Sequence, residues 1–165
     1  MGLFNRKKNE PAPTPAEVPT GPKPFGNRPL RLQAPPTIEN MPLFASQAAR
    51  ALSDIDNYEV TYSPADLAVV DKVIDDMRAE GMGSDDLAET LWTMGALVGE
   101  VIVHTDGGRW IDVPAEQSRM FSYPYLIELQ NGNTINPLGK VFKRMDNGPE
   151  DALVNFYEVL VLGRR

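Results

Sequence analysis

Apolar residues recur at helical spacing through the first half of the chain and give way to strand-like alternation in the second. The strongest period lies within Ser84–Trp110. Leu87, Leu91, Trp92, Val98 and Ile102, with Gly95 and Gly99 between them, follow i, i+3, i+4 spacing. They predict one buried stripe on a long central helix over 84–105. Ser84 is the expected cap, and Asp85 and Asp86 suit the positive end of the helix dipole. Asp106-Gly107-Gly108 ends it, because glycine accepts the left-handed backbone that a C-cap needs. At 1.5 Å per residue this helix is roughly 30 Å long.

The flanking segments read as shorter elements. Thr37–Ser53 predicts a helix from about Leu43, with Phe44, Ala48 and Leu52 inward. Ser63-Pro64-Ala65-Asp66 predicts a second start, with a serine cap, proline at the first helical position and aspartate at the capping-box position. Leu67, Val70, Val73, Ile74 and Met77 form its stripe, Asp71, Asp75, Asp76 and Glu80 are expected outward, and Gly81-Met82-Gly83 joins it antiparallel to the central helix. Arg109–Val113 and Tyr125–Leu129 read as strands, and Asn131-Gly132 as a two-residue type I′ turn into Asn133–Ile135. Asn136-Pro137 starts a helix to Met145 that displays Lys140, Lys143 and Arg144 and buries Val141, Phe142 and Met145. Pro149-Glu150-Asp151 opens a last helix with Leu153, Phe156, Tyr157 and Leu160 at core spacing. The expected class is α+β: a helical N-terminal half packed on a small antiparallel sheet or hairpin, with two C-terminal helices.

Composition separates a tail from this pattern. Ten of the fifteen prolines fall within Met1–Pro42, and residues 11–24 have no apolar period. Residues 1–36 are therefore expected as a disordered, proline-rich basic tail, and 37–165 as a single globular domain. Removal of the chain to about Pro35 is expected to leave the fold intact. Met1–Lys8 puts Leu3 and Phe4 beside three cations, so a weak membrane-surface contact competes with a solvated tail, the favoured reading. The myristoylation pattern fails, because Arg6 stands where Ser or Thr belongs.

Charge is segregated more sharply than the net −7 conveys. Met1–Pro36 carries six Lys/Arg against two Asp/Glu, or +4; Thr37–Gly108 carries three against fourteen, or −11; Arg109–Arg165 carries seven of each. The acidic first half repels nucleic acid and steers basic partners. It also serves solubility alone. There are no cysteines and one histidine, which excludes disulfides, a thiol nucleophile and zinc–thiolate sites, and neither a metal nor a cofactor is expected. The apolar run Leu91–Val103 is 13 residues with Glu100 inside it, short of the ~20 a membrane span needs. A cytoplasmic protein with no transmembrane segment is expected.

Motifs with a known mechanism fail on their spacing. Gly139-Lys140 lacks the first P-loop glycine, since Thr134 takes its place, and Val141 replaces Ser or Thr. Gly81-Met82-Gly83 has no third glycine and follows no strand. Asp54–Tyr58 fails as a calcium loop because Tyr58 takes a ligand position. No spacing around the single His104 selects a catalytic serine.

What remains is a set of polar residues at turns. Glu100 and His104 lie four apart on one helix face, which suits an acid/base pair or, on the favoured reading, a partly buried carboxylate paired with a strand or with Arg109. Gly95 and Gly99 share a face and predict a close approach by another segment. The order Gly99-Glu100, Gly107-Gly108-Arg109-Trp110, Asn136-Pro137 with Lys140 and Lys143-Arg144, Asn147-Gly148 with Glu150-Asp151, then Phe156-Tyr157 resembles uncharacterised bacterial domains of unknown function. It covers roughly Tyr62–Tyr157 and implies no activity, catalytic residue or cofactor. Two functions follow. One is a non-enzymatic binding or regulatory module, immunity-like in its extreme form, that presents an acidic helical surface to a protein partner. The other is a small-ligand binder or enzyme gathering Glu100, Arg109, Trp110, Asn136, Lys140, Lys143 and Arg144 around an anionic ligand.

Overall fold

Helix α3, Ala88–Asp106, is the axis of the domain. In this computed structural model the described residues are 30–114, 116 and 125–163, so the expectations for 1–29 lie outside them. The helix starts four residues later than its caps suggest. Ser84–Leu87 forms a turn, closed by the Leu87 N–H donating to Gly83 O at 3.2 Å, and Leu87 enters the helix without a side-chain cap. At the other end Gly107 is left-handed at φ 77°, and its N–H donates to Val103 O. Its burial runs right round the helix from Ala88 to Ile102, wider than one stripe, because α3 packs on three sides.

Helix α1, Met41–Asp56, and helix α4, Pro137–Asn147, cover two of those sides. Helix α1 begins ahead of Leu43, after a 3₁₀ turn at Ile38–Asn40, since Pro42 is well placed in a first turn. Phe44, Ala48 and Leu52 are buried as their spacing requires. Trp92 is core, with Phe44 and Tyr125 edge-on to its ring. Helix α2, Ala65–Ala79, packs on α4 and the C-terminal turn more than on α3, so the expected α2–α3 pair is not the main contact. Its start is held by the Asp66 carboxylate, which accepts the Ser63 N–H at 2.8 Å; the Ser63 hydroxyl does not cap.

The sheet covers the third side. Strands β1, Arg109–Asp112, β2, Tyr125–Glu128, and β3, Thr134–Ile135, form an antiparallel sheet in the order β1-β2-β3. Arg109 sits opposite Glu128 and Trp110 opposite Ile127. The β2–β3 turn is not type I′, which needs two left-handed residues, because only Gly132 has positive φ. Leu129 N–H bonds to Asn133 O, so the loop holds three residues, and the Asn131 side chain accepts the Asn133 N–H.

The C-terminal segment differs most from its sequence pattern. Asn136 caps α4 as expected, accepting the Gly139 N–H at 2.8 Å. After a 3₁₀ turn at Pro149–Asp151, helix α5 is only Leu153–Phe156 and widens into a π turn over Tyr157–Val161. That widening rotates Leu160 to the surface, 46% exposed, while Leu153, Phe156 and Tyr157 stay buried. Two charged residues expected outside are buried: Asp71 on α2 and Arg144 on α4. Before α1, Leu30, Leu32 and Ala34 pack against the core, although composition groups them with the tail.

Both glycines of α3 are sites of close approach. A Cβ on Gly95 would lie 2.9 Å from Leu138 Cα, and one on Gly99 only 2.0 Å from the Trp110 ring. Gly99→Leu is expected to cost about 3 kcal/mol or more, since the ring cannot stay where it is. Urea unfolding of the variant checks this; a wild-type midpoint would show that the indole moves away freely.

Candidate functional site

The chain reverses at Gly107 and brings β1 back along the last turns of α3. Trp110 therefore lies across Gly99, and its indole N–H donates to Glu100 Oε1 at 2.8 Å. Glu100 is 6% exposed. It is buried as expected, but its partner is this neutral indole rather than Arg109, Lys140 or Lys143. The reason is steric: the smooth face at Gly99 admits a ring, and the ring then occupies the space a longer cation would need.

His104 completes the cluster. Its Nδ1 is 2.7 Å from the Glu100 backbone oxygen, an acceptor only, so Nδ1 carries the proton. The Glu100 Oε2 lies 4.0 Å away. The Tyr62 ring stacks on the imidazole, centroids 5.0 Å apart. Tyr62 has φ 55°, a left-handed backbone rare for a bulky residue. Asp66 holds it there by accepting the Ser63 and Thr61 N–H groups on either side and the Tyr58 hydroxyl. Burial, then the charges of Glu100 and Asp66, push the Tyr62 phenol above its ordinary value. Sequence reasoning missed Tyr62; the capping-box Asp66 was the available signal, since it fixes the loop that carries it.

The nominated cations go elsewhere. Arg109 stays outside and meets Glu128 across the sheet, Nη2 to Oε2 at 2.7 Å. Lys140 bonds Asp151 and lies 5.7 Å over the Phe156 ring. The hydrogen bonds from Lys140 and Asn147 hold the Asp151 carboxyl below its usual value. With a depressed folded-state pKa, this clasp adds stability above the ordinary carboxylate range and loses it as pH falls from that range through the lowered folded-state value. Lys143 is exposed.

Arg144 is the opposite of a surface cation. At 2% exposed it donates from Nε to Asp71 Oδ1 and from Nη2 to Asp75 Oδ1, each at 2.7 Å. Asp71 also accepts the Leu153 and Val154 N–H groups, so one carboxylate ties α2, α4 and the start of α5. Burial alone would lower the Arg144 pKa, but its bonds to Asp75 and Asp71 outweigh this and raise it. Nη1 finds no acceptor among the described residues.

The candidates thus separate into distinct places. Glu100 and Trp110 come together, Asn136 is a helix cap, and Arg109, Lys140 and Arg144 are each bonded to their own carboxylates. A shallow opening of about 250 Å³ beside β1 and β2 is lined by Gly107–Arg109, Glu128–Gln130 and Gly132, and it touches neither Glu100 nor α4. Among the described residues no group of acidic or histidine side chains is placed to hold a metal, and no helix is long and apolar enough to cross a membrane. No family model, curated protein or solved structure matches the chain.

The Glu100–Trp110 bond has a measurable signature. Glu100→Gln keeps an oxygen acceptor for the indole and is expected to cost about 1 kcal/mol. Trp110→Phe strands a buried carboxylate and is expected to cost about 3 kcal/mol. Equal losses for the two variants in denaturant titrations would mean that the hydrogen bond contributes nothing beyond packing.

Proposed function

We propose that the chain is a non-enzymatic binding module, and that the solvent-facing acidic side of its helical half meets a basic protein partner. The supporting observation is the disposition of charge. Arg109, Lys140 and Arg144, nominated to hold an anionic ligand, already lie against Glu128, Asp151 and the Asp71–Asp75 pair. Most of the carboxylates of Thr37–Gly108 nevertheless stay at the surface. Asp54, Glu59, Asp75, Asp76, Glu80, Asp85 and Asp86 are all exposed. Within that half Arg50, Lys72 and Arg78 stand against fourteen carboxylates, and Arg144 from outside it takes Asp71 and Asp75. Of the three, Lys72 is bonded to Asp76, and Arg78 donates to Met145 O beneath the surface.

An acidic surface of this kind accelerates encounter with a basic partner and is screened by salt. An immunity-like role, in which the domain covers a basic site on a second protein, is one form of this reading. The triple variant Asp76→Lys, Glu80→Lys, Asp85→Lys tests it. Proteins captured from host lysate by the wild-type chain are identified by mass spectrometry, and capture is repeated with the variant and at about 0.5 M salt. The expected result is a basic protein lost under both conditions. A partner retained by the charge-reversed chain at full yield would sink the proposal.

A further inference from the structure

Asparagine followed by glycine occurs twice in the chain, at Asn131-Gly132 in the β2–β3 loop and at Asn147-Gly148 where α4 ends. Such a pair carries chemistry of its own. The backbone nitrogen after the asparagine can attack the side-chain amide and close a cyclic imide, and a glycine there has no Cβ to obstruct the approach. The two pairs are alike in sequence, but the fold gives them opposite surroundings.

At Asn147 the reacting groups are each bonded elsewhere. The Gly148 N–H donates to Arg144 O at 3.1 Å as the last bond of α4, and Gly148 is buried. The Asn147 side chain turns to Asp151, donating from Nδ2 to Oδ2 at 2.6 Å. Arg78 stands over Gly148, its Nη2 2.9 Å from where a Cβ would lie. Closing the imide here requires undoing the last turn of α4.

At Asn131 the surroundings favour the reaction. Residues 130–134 are all exposed, and a Cβ on Gly132 would meet nothing within 4 Å. The Asn131 Oδ1 accepts the Asn133 N–H at 2.9 Å. This turn carries the side-chain amide forward along the chain, toward the nitrogen that attacks it. It also places a donor on the oxygen where negative charge develops. The Gly132 N–H is restrained by its own bond to Leu129 O at 2.9 Å, but in an exposed loop such a bond opens far more readily than one within a helix.

We propose that Asn131 is a site of spontaneous deamidation, chosen over Asn147 by the fold, with water as the co-reactant. Hydroxide removes the Gly132 amide proton, and the nitrogen forms a bond to Asn131 Cγ as the carbonyl electron pair moves onto Oδ1. Collapse of that intermediate breaks the Cγ–Nδ2 bond and releases ammonia, which takes its proton from water. Water then opens the imide at either carbonyl, leaving aspartate or isoaspartate at position 131. In the isoaspartate product the main chain runs through the former side chain, so the loop lengthens and the oxygen that accepted the Asn133 N–H is lost from its place. Strand β3 is two residues long and follows this loop directly, pairing Ile135 with Ile127. The modification therefore falls on the turn that sets the β2–β3 register.

The test uses the full chain, incubated at mildly alkaline pH both folded and in concentrated urea. Samples are digested at acidic pH, where the reaction is slow, and the peptides carrying each pair are quantified over time by mass spectrometry. In urea the two asparagines are expected to react at similar rates, since local sequence alone then governs. In the folded chain Asn131 is expected to stay within about threefold of its rate in urea, while Asn147 slows by about tenfold or more. Isoaspartate at position 131, detected with an isoaspartyl methyltransferase as reagent, identifies the imide route. Gly132→Ala in urea is expected to slow loss of Asn131 by about tenfold, because a Cβ then obstructs the attacking nitrogen. Equal rates at the two sites in the folded chain would overturn the proposal. So would protection of Asn131 by folding as strong as that of Asn147, or a product free of isoaspartate.

Discussion

A helix buried on three sides can exist here only because two of its positions carry no side chain. Gly95 admits the α4 backbone at Leu138, and Gly99 admits the Trp110 ring. Each glycine costs roughly 1 kcal/mol of helix propensity against alanine. The return is close packing of α4 on one flank and an aromatic lid on another. That lid decides the fate of Glu100: the indole that fills the space over Gly99 is the same group that satisfies the carboxylate. One absent side chain thus sets both the packing and the polar chemistry at the end of α3.

The charged residues of the second half follow a related logic. Burying a charge without a partner costs several kcal/mol, so each cation drawn inward must bring its own carboxylate. Arg144 does this with Asp71 and Asp75, and Lys140 does it with Asp151. Asp71 goes further by also accepting two backbone N–H groups at the start of α5, where first-turn N–H groups have no acceptor within the helix. Cations spent in this way are unavailable to a ligand. Asp54 on α1 and Asp76 on α2, by contrast, keep their carboxylates at the surface.

Much of the fold was legible because its signals are local. The α3 period, the glycine stop, the Asn136 cap and the inward positions of α1 and α4 are all properties of short windows. The errors over charged residues share one cause. Asp71 and Arg144 sit where an isolated helix would face water, and only the arrival of a third element makes those positions interior. The same holds for Glu100: its burial was readable from its apolar neighbours, but its partner depended on where the chain returned after Gly107. Leu160 failed for a different reason, since a π turn changes the angular period and no composition signal announces it. Leu30–Ala34 was hidden by its proline-rich company, although its alternation was present in plain letters.

Asp71 also orders the way the chain can close. Its acceptor sites are filled by Leu153 and Val154, 82 and 83 residues downstream, and by Arg144. As the polypeptide emerges during synthesis, α1, α2 and α3 are complete long before these donors exist. Until they arrive, a carboxylate destined for the interior must stay hydrated, and the face of α2 around it must stay open. The last dozen described residues therefore act as a latch, and a ribosome that stalls before Leu153 leaves an unlatched domain exposed to proteases and chaperones.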